Sequence, residues 1–201
     1  VRGSAIVVSR VGDAEGSRPL AAALACAGSD PDRATLLLEL TDGRAPRPAL
    51  IASVAARTLE ERLAAHLPEA EVASRGQLCH LTLPADRESL ERARAALPLV
   101  RDSLGVVQLP PGLLRAAVDS GGLEPRAALL RADLGRDRAL TALAVRDLIL
   151  RGIPVAVAKR PLAWVPARRA LFGALPAGAA GGLSPRLLRR LSVRVPSSVT
   201  V

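Results

Sequence analysis

The sequence predicts a three-layer α/β domain, a mostly parallel sheet of about six strands with helices on both faces. Three observations lead there. Short apolar runs rich in Val and Leu alternate with longer Ala/Leu patterns of helical period. The short runs are continuously apolar, as strands buried on both faces are, instead of switching polar and apolar. At 201 residues and 49% hydrophobic composition, the chain is long enough to bury one sizeable core.

In chain order, strands are expected over 4–10, 35–40, 77–83, 104–109, 127–131 and 155–158, and helices over 19–28, 48–67, 87–97, 112–118 and 138–151. Several of the helical patterns open on Ser, Asp or Pro and close on Gly or Pro. This body is expected to occupy residues 1–176, with the ligand crevice at the carboxyl ends of the strands. Residues 177–201 read as a Gly-rich linker and a basic tail. In the tail Leu187, Leu188 and Leu191 share one helical face, and Arg186, Arg189 and Arg190 another. Such a segment suits a membrane surface or a partner, or it packs back on the domain.

The formal net charge is +9, carried by arginine, since Lys159 is the only lysine. That charge favours anionic surfaces, although the abundance of Ala, Arg, Gly and Pro also fits a GC-rich genome. Trp164 and Phe172 are the only aromatics, which removes the stacking platforms that single-stranded nucleic acid needs and ranks nucleic acid behind other partners. Cys26 and Cys79 lie in no CxxC pattern and are expected to be free, buried thiols. No run reaches the roughly 18 apolar residues of a membrane span, and no secretory leader pattern opens the chain. A cytoplasmic location is expected, with peripheral contact at the inner membrane face through the tail. The sequence has no methionine, which fits an alternative start codon or a chain that continues upstream.

Residues 11–20, VGDAEGSRPL, connect the first expected strand to the first helix, where backbone N–H groups and the helix dipole favour an anion. Gly12, Gly16, Ser17 and Arg18 therefore form a candidate nucleotide or anion site. A GxxxxGK[ST] loop needs a lysine on the phosphates and a hydroxyl on magnesium. Here the glycines are one residue too close, Ser17 and Arg18 occupy the corresponding places, and Asp13 and Glu15 add negative charge. The competing reading is a plain strand-to-helix turn, with Ser17 as cap and Pro19 in the first turn. His66 is expected at an exposed helix end and His80 in the core. No GxSxG or HExxH pattern accompanies them. Residues 121–125 and 133–137 read as connections with solvated charges, Asp137 capping the long helix that follows.

Three segments together carry a family resemblance. Residues 9–25 look like a phosphate loop and first helix, LLLEL at 36–40 resembles an "LLIDLD" strand, and VVQLPPGL at 106–113 resembles an "IIDTPPGL" segment. In this order they are similar to the ParA/MinD-type (deviant Walker) P-loop ATPases, over about residues 4–158. The resemblance implies a Rossmann-like fold. It adds Glu39 to the candidate nucleotide or anion site, where the family has a water-organising aspartate, and places Gln108 where an aspartate supports magnesium and Arg131 near an adenine-reading asparagine. Glu39 could stand in for its counterpart, whereas a neutral glutamine is a poor magnesium ligand.

Loss of the lysine and the metal-supporting carboxylate together implies no hydrolysis, with no required cofactor and ATP binding without turnover left open. The expected function is that of a non-catalytic regulatory or scaffold protein, similar to the TadZ/CpaE proteins, positioning pilus, secretion or cell-division machinery. It would work through a protein partner or as a homodimer, with the tail reaching membranes as in MinD-like proteins. Two alternatives stay open: a phosphate- or nucleotide-binding enzyme using the degenerate loop, and a basic module for nucleic acid or membrane surfaces.

Overall fold

A computed structural model describes residues 5–12, 17–27, 34–41, 52–100, 104–119, 123–133, 135–158 and 193–194. It is an α/β chain built on one mostly parallel sheet. The elements run β1 (Ala5–Arg10), α1 (Ser17–Ala27), β2 (Thr35–Leu40), α2 (Val54–His66), β3 (Glu71–Arg75), β4 (Leu78–Leu83) and α3 (Arg87–Ala96). A 3-10 turn follows at Leu97–Val100, then β5 (Gly105–Leu109), α4 (Pro111–Val118), β6 (Ala127–Arg131), α5 (Arg138–Leu150), β7 (Val155–Ala158) and the two-residue β8 (Val193–Arg194). Across the sheet the order is β3-β4-β2-β5-β1-β6-β7-β8. All pairings are parallel except β3 with β4 and β7 with β8.

Six of these strands are the expected ones, and Thr35–Leu40, Ala127–Arg131 and Val155–Ala158 carry the expected bounds. The addition in the body is β3, whose sequence EVASR is short and ends in charges at both sides, so it lacks the apolar run that marks the others. It forms a hairpin with β4 through the two-residue loop Gly76–Gln77, in register Arg75↔Leu78. Gly76 has φ +56°, the positive value that a first-position glycine supplies in a tight hairpin turn. The second helix also starts later than residue 48. Ser53 caps it, its hydroxyl accepting from Ala56 N at 3.1 Å, while Ala52 bridges to Gly76.

Helix α5 ends as its Gly152 suggests. Gly152 takes φ +71°, its N–H reaches Ile149 O at 2.8 Å, and Ile153 N reaches Leu148 O at 3.0 Å, so the final carbonyls are satisfied before the chain turns into β7.

Strand pleating divides the core in two. Ile6, Val8, Leu37, Val106, Leu129 and Ala156 point to one side and pack with Leu20, Ala21, Leu24 and Ala25 of α1. Their strand neighbours Val7, Leu36, Leu38, Leu81, Val107, Leu109 and Leu130 join apolar residues of α2, α3, α4 and α5 in a larger cluster. Among the described residues no helix is long and apolar enough to cross a membrane. The tail residues Arg186, Leu187, Leu188, Arg189, Arg190 and Leu191, the linker, Lys159, Trp164 and Phe172 lie outside the described residues.

Candidate functional site

The strand register sets Thr82, Glu39, Gln108 and Val8 abreast on β4, β2, β5 and β1. They stand near the carboxyl ends of these strands, on the side that α1 covers. The first three are polar, yet each is buried, Glu39 at 3% and Gln108 at 5% exposure. A row of this kind in a sheet buried on both faces calls for a physical account, because a buried polar group costs free energy unless it is hydrogen-bonded.

Glu39 is held from two sides. Arg18, the second residue of α1, places Nη2 2.9 Å from Glu39 Oε2 and Nε 3.5 Å from Oε1. His80, two residues before Thr82 on β4, brings Nε2 to 3.0 Å from the same Oε2. Burial alone would push the Glu39 carboxyl up, but the hydrogen bonds from His80 and Arg18 and their charges outweigh it and hold the group below the usual carboxylate range. The bond to Glu39 in turn raises the Arg18 guanidinium above its ordinary value. Arg18 remains nearly half exposed, so this pair is an edge contact and not a sealed ion pair.

Gln108 faces the start of the same helix. Its Nε2 donates to Ser17 Oγ at 3.4 Å, a long bond, and its Oε1 is buried without a partner. Ser17 is the first residue of α1 and is itself buried. Ser9 Oγ donates to Leu109 O at 3.0 Å and so ties β1 to β5 just beneath.

On the other side of β1, Arg131 ends β6, its Nη1 donating to Ala132 O at 2.7 Å and Ala158 O at 3.1 Å, with Nε unpartnered. These bonds turn the guanidinium onto the ends of β6 and β7. Asp137 departs from the sequence reading. It stands at the N-cap position of α5 but makes no capping bond, is buried, and has an unpartnered Oδ2. Its carboxyl lies against Gly12, where a Cβ would come within 2.5 Å of Oδ1. Gly12 has φ +58°, so both backbone conformation and space demand glycine.

Of the five residues expected to form the site, Ser17, Arg18 and Glu39 come together at the amino end of α1. Gly12 follows the end of β1 and lies against Asp137, and Gly16 lies outside the described residues. Gln108 joins them. His80 and Thr82 were not expected there, and the two-residue period that places both beside Glu39 becomes informative only once β2 and β4 are known to be neighbours. His66 is exposed at the end of α2, with Nδ1 3.0 Å from Arg62 O. Cys79 is free and buried on the opposite side of β4, and burial, helped by the charge of Glu60, pushes its thiol up to about 12, which makes it unreactive. The side chain of Cys26 lies outside the described residues.

No protein-family model matches this chain, and no curated protein matches it.

Proposed function

We propose that the chain is a non-hydrolysing relative of the ParA/MinD-type ATPases, a three-layer Rossmann-like frame that serves as a regulatory or scaffold protein and works through its surfaces. On this reading it helps to position machinery such as a pilus, secretion or division apparatus, at the cytoplasmic side of the membrane. The observation that carries the reading is the pairing of Glu39 with two side chains of this chain. The carboxylate that would organise an attacking water is bound by Arg18 and His80, and the Arg18 guanidinium is engaged by that carboxylate.

The remaining groups suit a magnesium-bound triphosphate poorly. Gln108 is neutral and engaged with Ser17, the loop supplies no lysine, and the Asp137 carboxyl stands against Gly12 where negative charge would oppose an anion. Phosphoryl transfer relies on positioning and charge stabilisation, and this set of residues offers little of either.

The test is magnesium-dependent ATP turnover by the purified chain, alongside calorimetric titration with ATP. Turnover at the level of the buffer blank is expected. Turnover that disappears in Glu39→Gln would overturn the proposal. Heat of binding without turnover would identify a site that holds nucleotide and does not consume it.

A further inference from the structure

We propose that the outward face of α5 is a docking surface for an acidic, leucine-faced helix of a partner protein. The inward face of α5 is already committed to the core through Thr141, Val145 and Leu148. The outward face is apolar as well, with Leu140, Leu143, Ile149 and Leu150 between 47% and 75% exposed. A helix that is apolar on both sides is one that gets covered on both sides.

The spacing of the outward residues indicates what covers it. Ala139, Leu143, Arg146 and Leu150 are exposed and follow one another at steps of four, three and four residues, the seam of a helix that packs lengthwise on another helix. One member of that seam is charged. Arg146 is exposed and has no ion-pair partner among the described residues. Its neighbour Asp147 is taken by Arg151, Nε to Oδ2 at 3.3 Å, and Arg151 also binds Asp119 at 2.7 Å.

A cation inside an apolar seam selects a partner that sets a carboxylate opposite it. A second copy of this chain would bring another arginine and a second net charge of +9, so the charges favour an acidic partner over self-association. The surface lies on a different element from the Glu39 site.

The experiment uses the full chain and two synthetic helical peptides with leucine at the seam positions, one with glutamate and one with lysine on the flanks, followed by fluorescence anisotropy at low and high salt. The glutamate peptide is expected to bind about tenfold or more tightly than the lysine peptide, with the difference shrinking at high salt. Leu143→Ser with Leu150→Ser, and separately Arg146→Glu, should each weaken it by about tenfold or more, and Arg146→Glu should reverse the preference between peptides. All three sites are exposed, and circular dichroism verifies that the fold is kept. Equal binding of the two peptides, or affinity that none of the substitutions alters, would overturn the proposal. So would a concentration-dependent dimer, or binding to vesicles of anionic lipid, that the same substitutions abolish while peptide binding is absent.

Discussion

The two sides of the sheet end differently at its carboxyl edge. Toward α2 through α5 the strands carry Leu40, Leu83 and Leu109, the last residues of β2, β4 and β5, and Leu130, the penultimate residue of β6, all essentially inaccessible. One residue away in sequence, toward α1, they carry Glu39, Thr82, Gln108 and Arg131, also buried, with unpartnered atoms on the last three. Identical backbone geometry thus supports two kinds of chemistry. The apolar side is stabilised by area removed from water, which needs no directional partner, whereas the polar side is stabilised only as far as its hydrogen bonds are made. Mutations on the two sides should therefore differ in sign as well as size.

The largest effect is expected on the apolar side. Leu38→Ala deletes a fully buried side chain from the middle of β2 and should cost about 2–5 kcal/mol, read from the urea midpoint. A cost below about 1 kcal/mol would show that this side is loosely packed and remove the contrast.

Gly12→Ala follows. A left-handed backbone costs an L-residue roughly 1–2 kcal/mol, and the added methyl must also displace the Asp137 carboxyl, so about 2–4 kcal/mol in total is expected. In an Asp137→Ala background the steric part vanishes and only the backbone part remains. A double-mutant cycle that shows no coupling would mean that the carboxyl moves away freely and does not close the loop.

Glu39→Gln should cost about 1 kcal/mol at neutral pH, since Arg18 is solvent-screened and glutamine can still bond His80. Because the folded-state carboxyl sits below its unfolded value, its stabilisation is complete above the unfolded pKa and fades as pH falls through the folded one. The gap between wild type and Glu39→Gln should therefore narrow under acid, below the ordinary carboxylate range. A gap that stays constant down to acid unfolding would show that Glu39 is not held as the charged form.

Much of this fold was legible because parallel strands buried on both faces are written as apolar runs, and Gly, Pro, Ser and Asp punctuate them. The hairpin strand β3 escaped for the complementary reason: Glu71 and Arg75 bracket only three residues, and its existence depends on pairing with β4. For the site, the loop after β1 pointed to Ser17 and Arg18, and the family likeness pointed to Glu39 and Gln108. Their contacts were not legible, since they depend on strand order. That β5 inserts between β1 and β2, bringing Gln108 beside both Glu39 and the start of α1, is a property of the topology. Asp137 was misjudged because sequence spacing identifies a cap position without saying where the carboxyl turns.

The smallest expected effect is the most discriminating one. Gln108 donates one long bond to Ser17 and buries an unpartnered oxygen, so Gln108→Leu exchanges a poorly compensated polar group for a side chain of similar length that suits the apolar residues beneath it. Loss of a weak hydrogen bond works against the variant, and removal of a buried unpartnered acceptor works for it. Since an unpaired buried group costs about 1–3 kcal/mol, a typical bond returns about 1, and the buried Ser17 hydroxyl also loses its donor, the balance should lie between neutral and about 1 kcal/mol of stabilisation. Leucine at the matching place on the apolar side is already the native choice, so this substitution makes one strand end alike on both sides. A loss of more than about 1 kcal/mol would mean that Gln108 is better satisfied in solution than its bond to Ser17 indicates, and that the polar row is a structural network whose bonds are made.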